Sequence, residues 1–255
     1  MVIPARRRPR GLDALRAQDT PLCVLLLANG GWTGADLPRP DAPGWPVTAI
    51  PVAWRGHGPT RQEALAHVRT PWVLFTVEDA VPQGPGFVRA LLEAIREGAH
   101  QVVSARQVAW AEAGRAARQR LRAWTPATGR HAGVTVDHVA ALYRTDALRA
   151  RPLPPVPTAE DWAWAREAPT GAVGYAPAAV VVHSHPRRFR ELRARARLEH
   201  TVRTRAGVPP QVAGGAGLAR ALPGAVRLGL QTRDLRGTLG ELLGQWEGAR
   251  DARSS

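Results

Sequence analysis

The sequence predicts an α/β fold, an open and mainly parallel sheet flanked by helices, with a helical tail behind it. Three observations carry that prediction. Short apolar runs alternate with amphipathic segments from residue 21 to residue 110, as in chains that lay down strand and helix by turns. The run "PLCVLLLA" (21–28) has no polar interruption, the pattern of a strand buried on both faces. From Pro186 onward the chain is basic, with fourteen arginines against six acids, and reads as helix.

Taken in order, residues 1–20 read as a flexible, marginally helical arm. "PLCVLLLANGG" (21–31) reads as the first strand, ending in an Asn-Gly turn. Residues 32–46, rich in Gly, Pro and Asp, form a loop. "VTAIPVAW" (47–54) reads as a second strand, which Pro51 either argues against or moves to a sheet edge. "TRQEALAHVR" (60–69) opens on a Thr60–Glu63 capping box and is helical. "PWVLFTV" (71–77) is a third strand, "GFVRALLEAIREG" (86–98) an amphipathic helix stopped by Gly98, and "HQVVSARQVAW" (100–110) a strand. Residues 111–130 read as an arginine-rich helical segment, "VDHVAALYRTDAL" (136–148) as strand into helix, and "RPLPPVP" (151–157) as a rigid loop. "AEDWAWAREA" (159–168) is a short helix, and "AAVVVHSH" (178–185) a strand stopped by Pro186. A basic helix over about 187–205, a Gly/Pro-rich break at 207–217 and further helix follow. The expected domains are therefore an arm at 1–20, a sheet domain at 21–186 and a basic helical extension at 187–255.

Composition narrows the class. With 255 residues, 44% of them apolar, the chain is long enough for one substantial core and a tail, or for two small domains. The single cysteine, Cys23, excludes an intrachain disulfide and fits a reducing cytoplasm. The 21–28 run is shorter than a membrane span, so a soluble or membrane-peripheral protein is expected. All 35 basic residues are arginine and the net charge is +14; its concentration in the tail points either to an anionic partner or to a solvated basic face. Nucleic acid is disfavoured: aromatics make up only 5%, and neither zinc-finger spacing nor an aromatic RNA-binding strand is present.

In open parallel sheets, ligands bind outside the carboxyl ends of strands. Three groups fall at such ends: Asn29, the adjacent acids Glu78 and Asp79, and the pair His183/His185, whose spacing of two puts both rings on one face. Asp and His there can hold Mn²⁺ or Mg²⁺ with phosphate oxygens completing the shell. Each group also has a plainer reading. Glu78/Asp79 make an ordinary turn, the histidines a satisfied strand end, and Thr158-x-x-Asp161 a capping box in which Asp161 only caps a helix. Trp162 and Trp164 do not share a helical face, so one packs in the core while the other lines a groove.

"WVLFTVEDAVP" (72–82) resembles the segment of family 2 glycosyltransferases, rhamnosyltransferase-like members especially, in which a strand ends in a metal-binding Asp motif. "VVSARQ" (102–107), "VAALYRTDAL" (139–148), "AEDWAWA" (159–165) and "GAVGYAPAAVVVHSH" (171–185) resemble further segments of that family in its own order, over roughly residues 21–200. The resemblance implies a GT-A fold, Rossmann-like with a central mixed sheet, and inverting transfer of a sugar from a nucleotide-diphosphate donor to a glycan or lipid-linked acceptor. It also implies roles. Asp79 ligates the metal, His185, or His183 in its place, is a second ligand or a diphosphate contact, and Asp161 is the general base. Asn29, Arg61, Glu78, Arg106 and Gln107 contact the nucleotide-sugar, and Glu160, Trp162, Trp164 and His183 lie on the acceptor side or nearby. The full Asp-x-Asp of the family would need an acid at 77, which is Val77, leaving arginines as the alternative means of offsetting diphosphate charge.

The tail carries two stripes. Leu235, Leu239, Leu242, Leu243 and Trp246 lie on one helix face, and Gly237, Gly240, Gly244 and Gly248 form a second that lets another element approach closely. Such a helix packs on the parent domain or in a homodimer, or else lies, with the basic 187–205 segment, on an anionic membrane surface. A non-catalytic GT-A scaffold and a polyanion-binding protein remain the competing classes.

Overall fold

The computed structural model describes residues 1–30, 32, 46–129, 136–156, 158–185, 188–208, 212 and 214–252. Most of the loop expected at 32–46, the strand-stopping Pro186 and part of the break at 207–217 lie outside them. The chain forms two compact units, residues 1–110 with 121–183, and residues 111–120 with 184–255. Among the described residues no helix is long and apolar enough to cross a membrane.

Among the described residues the first unit has eight strands: β1 (Val2–Ala5), β2 (Val24–Ala28), β3 (Val47–Pro51), β4 (Trp72–Thr76), β5 (Val81–Pro82), β6 (Val102–Val108), β7 (Ala140–Arg144) and β8 (Val173–Val182). Their order across the sheet is β3-β2-β1-β4-β7-β6-β8-β5. The β3–β2, β2–β1, β1–β4 and β6–β8 pairs are parallel, while β7 runs antiparallel to both β4 and β6. The sheet is thus mixed and mainly parallel, as expected, and β3 with its Pro51 lies at the edge.

The expected N-terminal arm is overturned. The arm at the start of the chain is not flexible: Val2–Ala5 is a central strand whose Val2 and Ile3 are wholly buried. Four residues containing Pro4, followed by arginines, give too little apolar length to read as a strand, and proline is rare in central strands. The ladder explains the tolerance. β1 touches β4 only at Val2↔Phe75, so Pro4 lies beyond the point where that neighbour needs an N–H.

Alternation along the strands feeds two layers. Val73 and Phe75 of β4, with Ala141 and Tyr143 of β7, face a cluster that includes Leu65, Leu148 and Trp164. Leu74 and Leu142 face the other side, against Phe87, Leu91 and Ile95. The helices of this unit are α1 (Leu12–Arg16), α2 (His57–Ala64, followed by a 3-10 turn at Leu65–His67), α3 (Phe87–Glu97), α5 (Thr145–Ala150) and α6 (Glu160–Arg166); α4 (Arg115–Trp124) spans the unit boundary. Helix α2 starts three residues earlier than expected. Thr60 lies inside it, and Gly56 at its N-cap makes no side-chain capping bond, so the Thr60–Glu63 capping box does not form.

In the second unit α7 (Phe189–Arg205), α8 (Gly214–Thr232) and α9 (Leu235–Asp251) follow one another. The glycine stripe of α9 does let a neighbour approach. A Cβ at Gly240, Gly244 or Gly248 would stand 2.7, 2.2 or 2.3 Å from the carbonyl oxygens of Phe189, Arg193 or Arg197 on α7. Ion pairs Arg193–Glu247 and Arg197–Asp251 tie the same two helices.

Candidate functional site

The carboxyl ends of β1, β2, β4, β6 and β8 share one edge of the sheet with the amino end of β7, because Thr76 pairs with Ala140, Ser104 with Ala141 and Val108 with Val182. The candidate site residues collect along this edge. After β4 the chain turns through Glu78 and Asp79, and the two acids part company. The Glu78 carboxylate accepts the Arg6 N–H (2.7 Å) and lies 3.5 Å from Arg7 Nε, while its carbonyl accepts the Arg10 N–H. It therefore ties down the loop after β1. Gly11, next along, packs so closely on this turn that a Cβ would stand 2.3 Å from the Ala80 carbonyl.

Asp79 turns the other way. Its Oδ1 lies 3.5 Å from His183 Nε2 at the end of β8, and Asp79, His183 and His185 offer three ligand atoms within 4.8 Å of one another. His183 is buried and His185 exposed. A register shift between β6 and β8, with Ala105 opposite Ala176 but Arg106 opposite Val180, inserts extra residues into β8 ahead of the two histidines. One carboxylate oxygen and two imidazole nitrogens make a donor set suited to Mn²⁺ and less so to Mg²⁺, which prefers oxygen throughout.

The second carboxylate of interest is Asp161, near the start of α6. Ala159 in the left-handed region (φ 58°) precedes the helix, and no side chain caps it, so Asp161 is not half of a capping box with Thr158. Its Oδ2 accepts the His138 N–H (3.0 Å) and its Oδ1 the Trp162 N–H (2.8 Å). Burial pushes its carboxyl up to about 6. The nearby His138 works against this, and the negative charges of Glu160 and Asp137 add to it.

Beneath Asp161 lies a polar network that sequence reasoning missed. Glu160 Oε1 accepts from Arg61 (2.6 Å) and meets His138 Nδ1 (2.9 Å), while His138 Nε2 meets the Tyr143 hydroxyl (2.8 Å). All four residues are almost wholly buried. Burial alone would raise the Glu160 carboxyl, but the His138 hydrogen bond and the charges of His138 and Arg61 outweigh it and hold the group at about 2. Burial drives the Tyr143 hydroxyl well above its usual range, so it stays neutral. Arg61 and Glu160, expected to meet donor and acceptor, instead offset each other's charge inside the protein. A second support runs beside it: Gln107 donates to Asp137 Oδ2 (2.6 Å), whose Oδ1 accepts the Val139 N–H. Gln107 is buried and holds Asp137, so it too is turned from the ligand contact expected of it.

Trp164 is 1% exposed, its indole N–H bonded to the Arg151 carbonyl, and belongs to the core. Trp162 is half-buried beside Asp161, with the Arg166 guanidinium 5.1 Å from its ring centroid. Arg106 is half-buried near the end of β6. Asn29 is 4% exposed, and its Oδ1 is buried with no hydrogen-bond partner among the described residues. Next to it, Gly30 (φ 65°) lies under the Arg6 side chain, whose guanidinium sits 5.8 Å from the Trp54 ring. The arginines after β1 thus belong to the site edge. Their signal, a run of four residues with apolar character leading into "RRRPR", was present in the sequence but too short to read.

No protein family model and no curated protein matches the sequence. Solved structures do. The mannosyltransferase PcManGT from Pyrobaculum calidifontis, in complex with GDP-Man and Mn²⁺, aligns over 96% of this chain and 85% of its own, with a TM-score of 0.66 and 17% identity. The glucosyl-3-phosphoglycerate synthase of Mycobacterium tuberculosis, in complex with Mn²⁺, UDP-glucose and phosphoglyceric acid, covers 83% of this chain and 80% of its own at TM-score 0.54 and 20% identity. Residues 1–349 of S. aureus TarS cover 76% of this chain and 63% of that one at TM-score 0.55 and 16% identity. The fold is GT-A. At these identities the likeness is one of fold, and function has to be argued from the GT-A site itself.

Proposed function

We propose that the protein is an inverting glycosyltransferase that moves a hexose from a nucleoside-diphosphate donor to an acceptor hydroxyl. The observation that carries this reading is the convergence on one sheet edge of an Asp–His–His cluster and a separate carboxylate, Asp161, whose affinity for protons is raised to about 6. In this reading Asp79, His183 and His185 hold a divalent cation, most suitably Mn²⁺. Such an ion, when bound, offsets the charge that builds on the leaving diphosphate.

The remaining roles fall to the chain itself. Asp161 takes the acceptor's proton as its oxygen attacks the anomeric carbon, and a proton affinity near neutrality suits that task. The amides of His138 and Trp162 hold the carboxylate in place while leaving lone pairs for the acceptor hydroxyl. Trp162 offers a ring face beside the base for an acceptor sugar. Asn29 Oδ1, with Arg6 and Trp54, supplies an acceptor atom, a cation and an aromatic face for the nucleotide, and Arg106 adds positive charge at the same edge. We further place the chain with family 2, rhamnosyltransferase-like enzymes. The acceptor is then a glycan or lipid-linked hydroxyl of a bacterial surface polysaccharide, worked on from the cytoplasmic side.

The test is thermal unfolding with UDP, GDP, dTDP or CDP and their sugar forms, each with Mn²⁺, Mg²⁺ or EDTA. Ligands bound only by the native state raise the melting temperature by mass action. We expect one nucleotide to stabilise wild type in Mn²⁺, and Asp79→Ala to lose the Mn²⁺-dependent part. A folded wild type that responds to no nucleotide would overturn the reading in favour of a non-catalytic scaffold.

A further inference from the structure

Helix α8 packs the opposite way round from an ordinary surface helix. Its buried positions are small, Gly217, Gly229 and Thr232, and a Cβ on Gly229 would stand 2.7 Å from Leu235 Cα. Its leucines face outward instead: Leu222 is 43% exposed, Leu228 46% and Leu230 65%. Leu222, Val226 and Leu230 recur every four residues and so form one stripe, and with Pro223, Arg227 and Gln231 they line a shallow groove. A globular helix normally buries that stripe.

Charge says what covers it. The second unit contains seventeen arginines and seven acids, a net of +10. Five of the acids are engaged within the unit, Glu191 with Arg188, Glu199 with Arg195, Glu241 with Arg120, Glu247 with Arg193 and Asp251 with Arg197. Asp234 caps α9. Helix α8 itself has no acid, and its two arginines, Arg220 and Arg227, are exposed and lie together along one margin of the leucine stripe. A second copy of the chain would bring this positive field against itself, and nucleic acid phosphates would leave the leucines unsatisfied. An anionic lipid surface takes both, acyl chains receiving the leucines and headgroups the arginines.

We propose that α8 is an interfacial membrane-binding helix that seats the second unit on anionic phospholipid through Leu222, Val226 and Leu230, with Arg220 and Arg227 on the headgroups. This goes beyond glycosyl transfer and does not depend on it. It also moves the membrane contact away from α9, which the sequence suggested, because α9 spends its glycine stripe on α7.

The experiment is co-sedimentation of the full chain with vesicles of phosphatidylcholine alone or with phosphatidylglycerol added, at low and high salt, for wild type, L222Q/L230Q and R220Q/R227Q. Wild type should partition onto the anionic vesicles and far less onto neutral ones. Both variants should unfold at the wild-type temperature, since these side chains are exposed, and each should bind the anionic vesicles roughly tenfold less. Only the arginine variant should show a weaker salt dependence than wild type. Vesicle binding unchanged in L222Q/L230Q would overturn the proposal. So would light scattering that shows a wild-type dimer and a monomeric L222Q/L230Q, which assigns the stripe to a second copy. Binding of RNA but not of anionic vesicles would overturn it as well. Nucleotide-induced stabilisation, read separately on the same samples, keeps a failure here distinct from a failure of the transferase reading.

Discussion

Glu160→Gln is the sharpest probe of the buried network. The Glu160 carboxylate is 2% exposed and serves Arg61 and His138 through the same oxygen. Replacing it with a neutral amide leaves the Arg61 guanidinium, whose Nε already lacks a partner among the described residues, as an uncompensated buried charge, a change that costs about 3–5 kcal/mol. A second route gives a similar figure. The group is held at about 2 against a usual 4.5, and a shift of that size corresponds to about 3 kcal/mol of stability at neutral pH. Because the folded value is depressed, that stability is fully present above pH 4.5 and is lost as pH falls towards 2. Urea unfolding of wild type and variant between pH 7 and pH 3 measures both. The gap should be about 3 kcal/mol or more at pH 7 and shrink steadily below pH 4.5. A gap under about 1 kcal/mol, or one independent of pH, would refute the view that this buried pair holds α6 to α2.

Asp161→Asn should lower transfer by about 10²–10⁴-fold while leaving nucleotide-induced stabilisation intact; near-normal turnover removes Asp161 as the base. In wild type the transfer rate should climb as pH rises through about 6. Stability should move the other way, since a carboxyl raised from 3.8 to about 6 favours the fold when protonated and loses that contribution as pH rises through this window. Asp161→Asn should abolish that loss in urea titrations. Gly244→Ala should lower the melting temperature, because its Cβ meets the Arg193 carbonyl at 2.2 Å and backbone cannot step aside, at a cost of about 1–3 kcal/mol. An unchanged melting curve would show that α7 and α9 approach less closely.

Periodicity and local grammar were enough for most of the sheet and helices. β4, α3 and β6 lie within a residue or two of where apolar alternation and Gly98 put them, because these segments carry their burial pattern within a few contiguous residues. The clustering at the strand ends was legible for the same reason: Asp79 follows an apolar run, and His183 and His185 share a face by spacing, and the three come within 4.8 Å of one another. Three things were decided only by tertiary structure. Val2–Ala5 is a strand because β2 and β4 supply its partners, and four residues cannot announce that. Glu160, Arg61 and Gln107 look like site residues in a linear reading, yet they pair with residues between 22 and 99 positions away, so their charge and hydrogen bonds are spent inside the protein. Which tail helix shows its leucines was also out of reach. Both α8 and α9 carry apolar and small residues, and only the close contact of α9's glycines with α7, fixed by packing across three helices, determines that α8 is the one left facing solvent.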